Sequence, residues 1–114
     1  MATTEAVLDH HLEALRAGDL EAVLADDDET SVLATPDATI RGLAGLRQFF
    51  EMAIELLPPG SQLEVTTRVV EGEFASIVWQ LDSDRNRIPY GTDTFVVREG
   101  RITFQSFAGQ IEPK

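Results

Sequence analysis

Cysteine is absent from the 114-residue chain. That excludes a disulfide scaffold, a thiolate nucleophile and a cysteine-based zinc site. Long apolar runs are absent too. None approaches the ~20 residues that span a bilayer. The first residues, Met1–Glu5, lack the basic-then-apolar order of a secretory leader. A cytoplasmic protein with no membrane partner is therefore expected. Basic residues are few: nine against 20 acidic ones, a formal charge of −11. A field of that sign repels phosphate backbones, so nucleic acid is not an expected partner. The acidic excess itself reads first as solubility. His10 and His11 are adjacent, so one helix face cannot offer both to an ion, and no HExxH spacing occurs. No metal site is expected. A glycine-rich phosphate loop and a serine-nucleophile motif are also missing, and no cofactor is expected.

What is present suffices for one domain over residues 1–114. Hydrophobic residues make up 43% of the chain, enough for a core without staples. Residues 4–17 have helical periodicity. Val7, Leu8, His11, Leu12 and Leu15 form one stripe, with Thr4 as the expected cap and Gly18 as the stop. Asp19 can cap a second short helix, Leu20–Ala25. Asp26, Asp27, Asp28 and Glu29 read as a solvated loop, because a Ca²⁺ loop needs a glycine and alternating oxygen ligands. Short strands are expected at Ser31–Thr35 and Ala38–Arg41, with Gly42 as a break. A long helix follows over Leu43–Leu57, ended by Pro58-Pro59-Gly60. Its stripe is Leu43, Leu46, Phe49, Phe50, Ala53, Ile54 and Leu57.

Beyond residue 61 the chain is strand-like. Gln62–Val70, Phe74–Leu81, Ile88–Arg98 and Arg101–Ile111 are separated by turn-forming segments. Helices first and a meander after make an α+β domain, with helices on one face of an antiparallel sheet.

Three stretches carry a resemblance. They are Leu15-Arg16-Ala17-Gly18-Asp19-Leu20, then Arg41-Gly42-Leu43 with Leu46-Arg47-Gln48-Phe49-Phe50, then Gly91-Thr92-Asp93-Thr94-Phe95 with Glu99-Gly100-Arg101-Ile102. In this order the chain resembles the NTF2-like superfamily, in particular its ketosteroid isomerase and SnoaL-like branch. The resemblance implies a cone: a curved antiparallel sheet wrapped around the long helix, with N-terminal helices closing a pocket. It implies a small hydrophobic ligand as partner, and pairing of such domains through the open sheet face. A homodimer is expected, with Trp79 and Ile77 or Leu81 facing outward to drive it.

The ketosteroid isomerases of this family use a helix tyrosine and a late-strand aspartic acid as oxyanion donors, and a second aspartate as base. The strand aspartate falls on Asp93. It shares a face with Phe95 and Val97, which either looks into the core or out to solvent. Inside, burial would favour the neutral acid. The tyrosine position reads His11, which lies in the apolar stripe and needs a partner if buried. Either it pairs with Asp93 or it is a satisfied core histidine. His10 falls on the polar side. The base position reads Thr35, whose hydroxyl is no base near neutral pH. Asp37 follows in a turn that points to solvent.

The resemblance places Phe50, Val78, Gln80, Phe95, Gln105 and Phe107, with Thr35, around the pocket. Strand 74–81 can slip by one, which substitutes Ile77, Trp79 and Leu81 for Val78 and Gln80. The arginine and paired aspartates of related epoxide hydrolases are replaced by Val78, Gln80 and Phe107. Epoxide hydrolysis is therefore disfavoured. The expectation is proton transfer, of isomerase or cyclase type, on a small hydrophobic carbonyl compound. Asp93 and His11 are the candidate catalytic pair. A binding module or a dimerisation domain of the same fold are the alternatives.

Overall fold

A computed structural model describes residues 2–57 and 61–114. The first helix, α1 (Thr4–Ala17), is capped by the Thr3 side chain, which accepts from the Ala6 N–H. The expected cap, Thr4, instead donates its hydroxyl to the Gly72 carbonyl and ties the helix to the sheet. Gly18 takes the left-handed conformation that stops α1. Asp19 caps α2 (Leu20–Leu24) through the Ala22 N–H.

The acidic run that follows departs from expectation. Asp26 and Asp27 are buried rather than solvated. Asp26 Oδ2 lies 2.8 Å from His10 Nδ1, so His10 is held against the loop as well as exposed. The Asp26 carbonyl also accepts from the Ile102 N–H, and the Ser31 hydroxyl donates to the Ile102 carbonyl. Side chain and backbone thus tie the loop to the last long strand.

Strands β1 (Val32–Ala34) and β2 (Thr39–Arg41) form a short hairpin. Helix α3 (Gly42–Glu55) begins at Gly42 itself, at φ +78°, rather than after it. Its first turn lacks a side-chain cap from Arg41, but the exposed Glu29 carboxylate reaches the Leu43 N–H at 3.4 Å. The Pro58-Pro59-Gly60 stop lies outside the described residues. The meander comprises β3 (Gln62–Glu71), β4 (Phe74–Asp82), β5 (Asn86–Arg98) and β6 (Arg101–Gly109). A two-residue β7 (Glu112–Pro113) adds to β5.

The sheet runs β2-β1-β6-β5-β4-β3, antiparallel except where β1 lies parallel to β6. Register shifts occur between Val65 and Thr67, Trp79 and Leu81, and Val96 and Val97. Such bulges bend and twist a sheet. The result is a curved α+β cone, as the resemblance implies, with α1 and α3 on its concave side. Arg68 of β3 reaches Asp9 of α1 at 2.7 Å, and Arg16 donates to the Leu63 carbonyl. These polar contacts, weak in energy, orient the helix over the strands.

Alternation sorts the strands into an inner and an outer face. On β4 the inner set is Ala75, Ile77, Trp79 and Leu81. Trp79 therefore faces inward with Ile77 and Leu81, not outward as a dimer contact. The outer face has its own row. Phe74 pairs with Val96, Val96 with Phe104, and Phe104 with Val32. Below it run Ser76, Thr94, Ser106 and Ala34. None of these eight carries charge, and Phe74 is 56% exposed.

Candidate functional site

The interior holds two apolar clusters. One joins Val7, Leu8 and Leu12 of α1 to the inner faces of β4, β5 and β6. The other joins Ala14, α2, β1 and α3 around Leu46 and Phe50. Between them lies a cavity of about 110 Å³. Helix α1 contributes His11, Leu12 and Leu15, and α3 contributes Phe49, Phe50 and Ala53. The sheet supplies Ile77, Trp79, Asp93, Phe95, Gln105 and Phe107 among others. Met52 and Ile111 line the cavity and are also exposed, which marks them as its rim. A cavity of ~150 Å³ can hold a benzene molecule. The enclosed space here is somewhat smaller and opens at that rim, so it suits a one-ring body that reaches the rim.

Asp93 sits at the polar end. It is 8% exposed, and both of its oxygens are occupied. The Trp79 indole N–H donates to Oδ1 at 2.7 Å, and Gln105 Nε2 donates to Oδ2 at 2.8 Å. Strand pairing explains both. Trp79 stands opposite Gly91, and Asp93 is the next inner position along β5. Gln105 stands opposite Phe95, so it is Asp93's diagonal neighbour on the other side. Diagonal pairs are within reach of long side chains. Burial pushes the Asp93 carboxyl up to about 7, against the two hydrogen bonds, which favour its charged form.

Glycine at position 91 is required by the indole. A Cβ there would lie 2.4 Å from the Trp79 ring. Without it, Trp79 lies flat over β5, stacked on Phe107 at 5.9 Å and 14°. That pose aims the N–H at Asp93.

His11 does not pair with Asp93. Its ring meets Phe95 and Phe50 edge-on at 5.4 and 5.7 Å. Neither ring nitrogen has a hydrogen-bond partner among the described residues. Burial, reinforced by the charge of His10, pulls its pKa down to about 4. The ring is thus neutral at pH 7, with one N–H and one lone pair buried beside the cavity that the residue lines. Gln105 Oε1 is a third buried atom without a partner among the described residues.

Phe50, Phe95, Gln105 and Phe107 line the cavity; three other expected positions do not. Thr35 belongs to the turn between β1 and β2, where its Oγ1 accepts from the Ala38 N–H at 3.0 Å. Val78 and Gln80 lie on the outer side of β4, and Gln80 donates to Glu64. The physical reason is the pattern of the strand itself. Ala75, Ile77, Trp79 and Leu81 bury far more apolar surface than Ser76, Val78, Gln80 and Asp82. That signal was present in the sequence. With Val78 and Gln80 placed inside, Trp79 fell outside, where it could not be read as a partner of Asp93.

A family model for the SnoaL-like domain matches residues 8–105. The chain belongs to the SnoaL-like family. No curated protein matches it. Among solved structures, the SnoaL-like chain is similar to SalBIII, an epoxide hydrolase/cyclase-like enzyme of pyran ring formation in the polyether salinomycin. That match has a TM-score of 0.80 and 15% identity, and covers 97% of this chain and 95% of that one. It is similar to an NTF2-like protein of unknown function from Cytophaga hutchinsonii, with TM-score 0.78, 14% identity and coverage of 96% and 92%. A protein of Kribbella flavida provisionally named a ketosteroid isomerase gives 0.77, 21% identity and coverage of 94% and 77%. At these identities the likeness is one of fold, and fold alone does not assign an activity.

Proposed function

We propose that this SnoaL-like domain binds a small neutral carbonyl compound in its cavity and moves a proton on it with Asp93. The observation that carries this reading is the Asp93 carboxyl itself: buried, facing an apolar cavity, and poised at about 7. A group so poised exchanges protons in both directions near neutral pH. As carboxylate, Asp93 takes a proton from the carbon next to the ligand carbonyl. The negative charge moves to the carbonyl oxygen, which the neutral His11 N–H stabilises by donation. Asp93 then returns the proton to the same carbon or to one conjugated with it. A family-type steroid isomerisation is not proposed, because Thr35 does not line the cavity and its hydroxyl is committed to the turn between β1 and β2.

The test is exchange of the α-hydrogens of acetophenone in D₂O, followed by NMR. The protein should accelerate exchange, and Asp93→Asn should abolish the acceleration. Binding without accelerated exchange would favour the alternative, a non-catalytic ligand-binding domain. The engagement of both Asp93 oxygens by donors supports that alternative.

The domain is further proposed to form a homodimer through the outer sheet face. The uncharged rows built on Phe74, Val96, Phe104 and Val32 support this. In a chain of net charge −11, a neutral apolar strip is where two copies can approach.

A further inference from the structure

We infer that the ligand carries a hydroxyl group beside its carbonyl, and that Gln105 is the residue that recognises it. This rests on the cavity reading above and narrows it to a class, neutral hydroxy-ketones of about one ring.

Two buried side chains at the polar end, His11 and Gln105, keep hydrogen-bonding atoms without partners among the described residues. Gln105 is 4% exposed and spends its amide nitrogen on Asp93. That bond fixes which way the amide points. An ionised Asp93 can only accept, so the NH₂ must face it and Oε1 must face away. Oε1 is then a buried acceptor without a partner among the described residues. A carbonyl on the ligand cannot satisfy it; only an O–H or N–H donor can. The neutral His11 ring supplies the complementary need, with an N–H for a ligand acceptor. The two side chains are neighbours in the fold, since His11 packs against Phe95 and Phe95 pairs with Gln105. A ligand bearing one acceptor and one donor meets both.

The donor is neutral rather than cationic or anionic. No lysine or arginine lines the cavity among the described residues, so a carboxylate ligand has no counter-charge there. An ammonium would satisfy Asp93, but both Asp93 oxygens already accept hydrogen bonds, and the walls are apolar. A hydroxyl fits without desolvating a charge.

Calorimetric titration at pH 7.5 tests this on the wild-type chain with five probes: acetophenone, its 3- and 4-hydroxy derivatives, 3-methoxyacetophenone and 3-hydroxybenzoate. The better hydroxyketone should bind on the order of tenfold tighter than the methoxy and parent ketones. The benzoate should bind more weakly than either hydroxyketone. In Gln105→Leu the hydroxy-to-methoxy affinity ratio should fall to near one. Equal binding of hydroxy and methoxy probes would overturn the inference, as would tight benzoate binding or a preference that survives in Gln105→Leu. If acetophenone binds and exchanges without any hydroxyl preference, only this inference fails. If no ketone binds, the cavity reading fails with it.

Discussion

The indole N–H of Trp79 and the carboxylate of Asp93 meet at 2.7 Å inside the cone, one strand and one inner position apart. The bond lowers the cost of charging Asp93, while burial raises it. Trp79→Phe keeps the ring and removes the donor. The Asp93 pKa should then rise above its wild-type value. Carboxyl NMR titration checks this, and an unchanged or lower value would contradict the geometry.

Gly91 makes that bond possible by leaving room for the ring. Gly91→Ala places a Cβ where the indole lies, at 2.4 Å. Overpacking of this kind costs about 1–3 kcal/mol. Urea unfolding should show that loss, and the Asp93 titration should shift upward as in Trp79→Phe.

Stability should depend on pH in a direction set by the buried groups. Asp93 and Asp27 both have carboxyls raised to about 7 by burial, Asp27 also by the charges of Asp26 and Asp28. A raised acid binds a proton in the folded state that the unfolded chain has already released. Its stabilising share is whole below the unfolded value of 3.8 and is lost as pH rises through about 7. His11, lowered to about 4 from 6.5, acts oppositely. Its share is whole above 6.5 and is lost as pH falls toward 4. Asp93→Asn removes one carboxyl from this balance. Relative to wild type, that variant should gain stability between pH 4 and pH 8, by up to about 4 kcal/mol. Denaturant titrations at the two pH values measure the difference, and a flat or falling difference would rule the assignment out.

His11 is buried with neither ring nitrogen partnered among the described residues, an arrangement that costs stability. Replacing a buried polar group that lacks partners by an apolar ring should stabilise the fold, here by about 1–3 kcal/mol. His11→Phe should therefore melt higher than wild type. The same variant should lose acceleration of acetophenone exchange. A lower melting temperature would mean the ring nitrogens are satisfied in solution.

The outer sheet face makes a prediction of its own. Phe104→Glu puts a charge into the centre of the Phe74–Val96–Phe104–Val32 row. Sedimentation should show a dimer for wild type and a monomer for this variant. A wild-type monomer at micromolar concentration would end the dimer proposal.

Element order was legible because local signals agreed with the fold. Gly18 and Asp19 mark the α1–α2 junction, and the apolar stripe of α1 correctly buried His11. Alternation put Asp93 and Phe95 on one face, and the resemblance rather than the pattern turned that face inward, where both are buried. The misreadings are of another kind. The partner of Asp93 is a tryptophan whose pose depends on a glycine in the neighbouring strand, and cross-strand packing has no local signature. The burial of Asp26 and Asp27 arises because a loop rich in charge is drawn under β6 by backbone bonds to Ile102 and a histidine on α1. Thr35 was placed by analogy with a proline-flanked position, while its own hydroxyl is committed to the turn.

The parallel pairing of β1 with β6 carries a consequence for the order of assembly. Strands β3 to β6 meet through hairpins and can form from nearby sequence, but residues 32–34 wait for residues 104–106. The Ser31 hydroxyl and the Asp26 carbonyl wait for Ile102 as well. During synthesis the helical half must therefore remain undocked at its sheet edge until the last long strand has emerged. Loop closure over such a span slows folding. Shortening the chain from its C-terminal side into β6 would strand the first half of the molecule without the edge it was built to join.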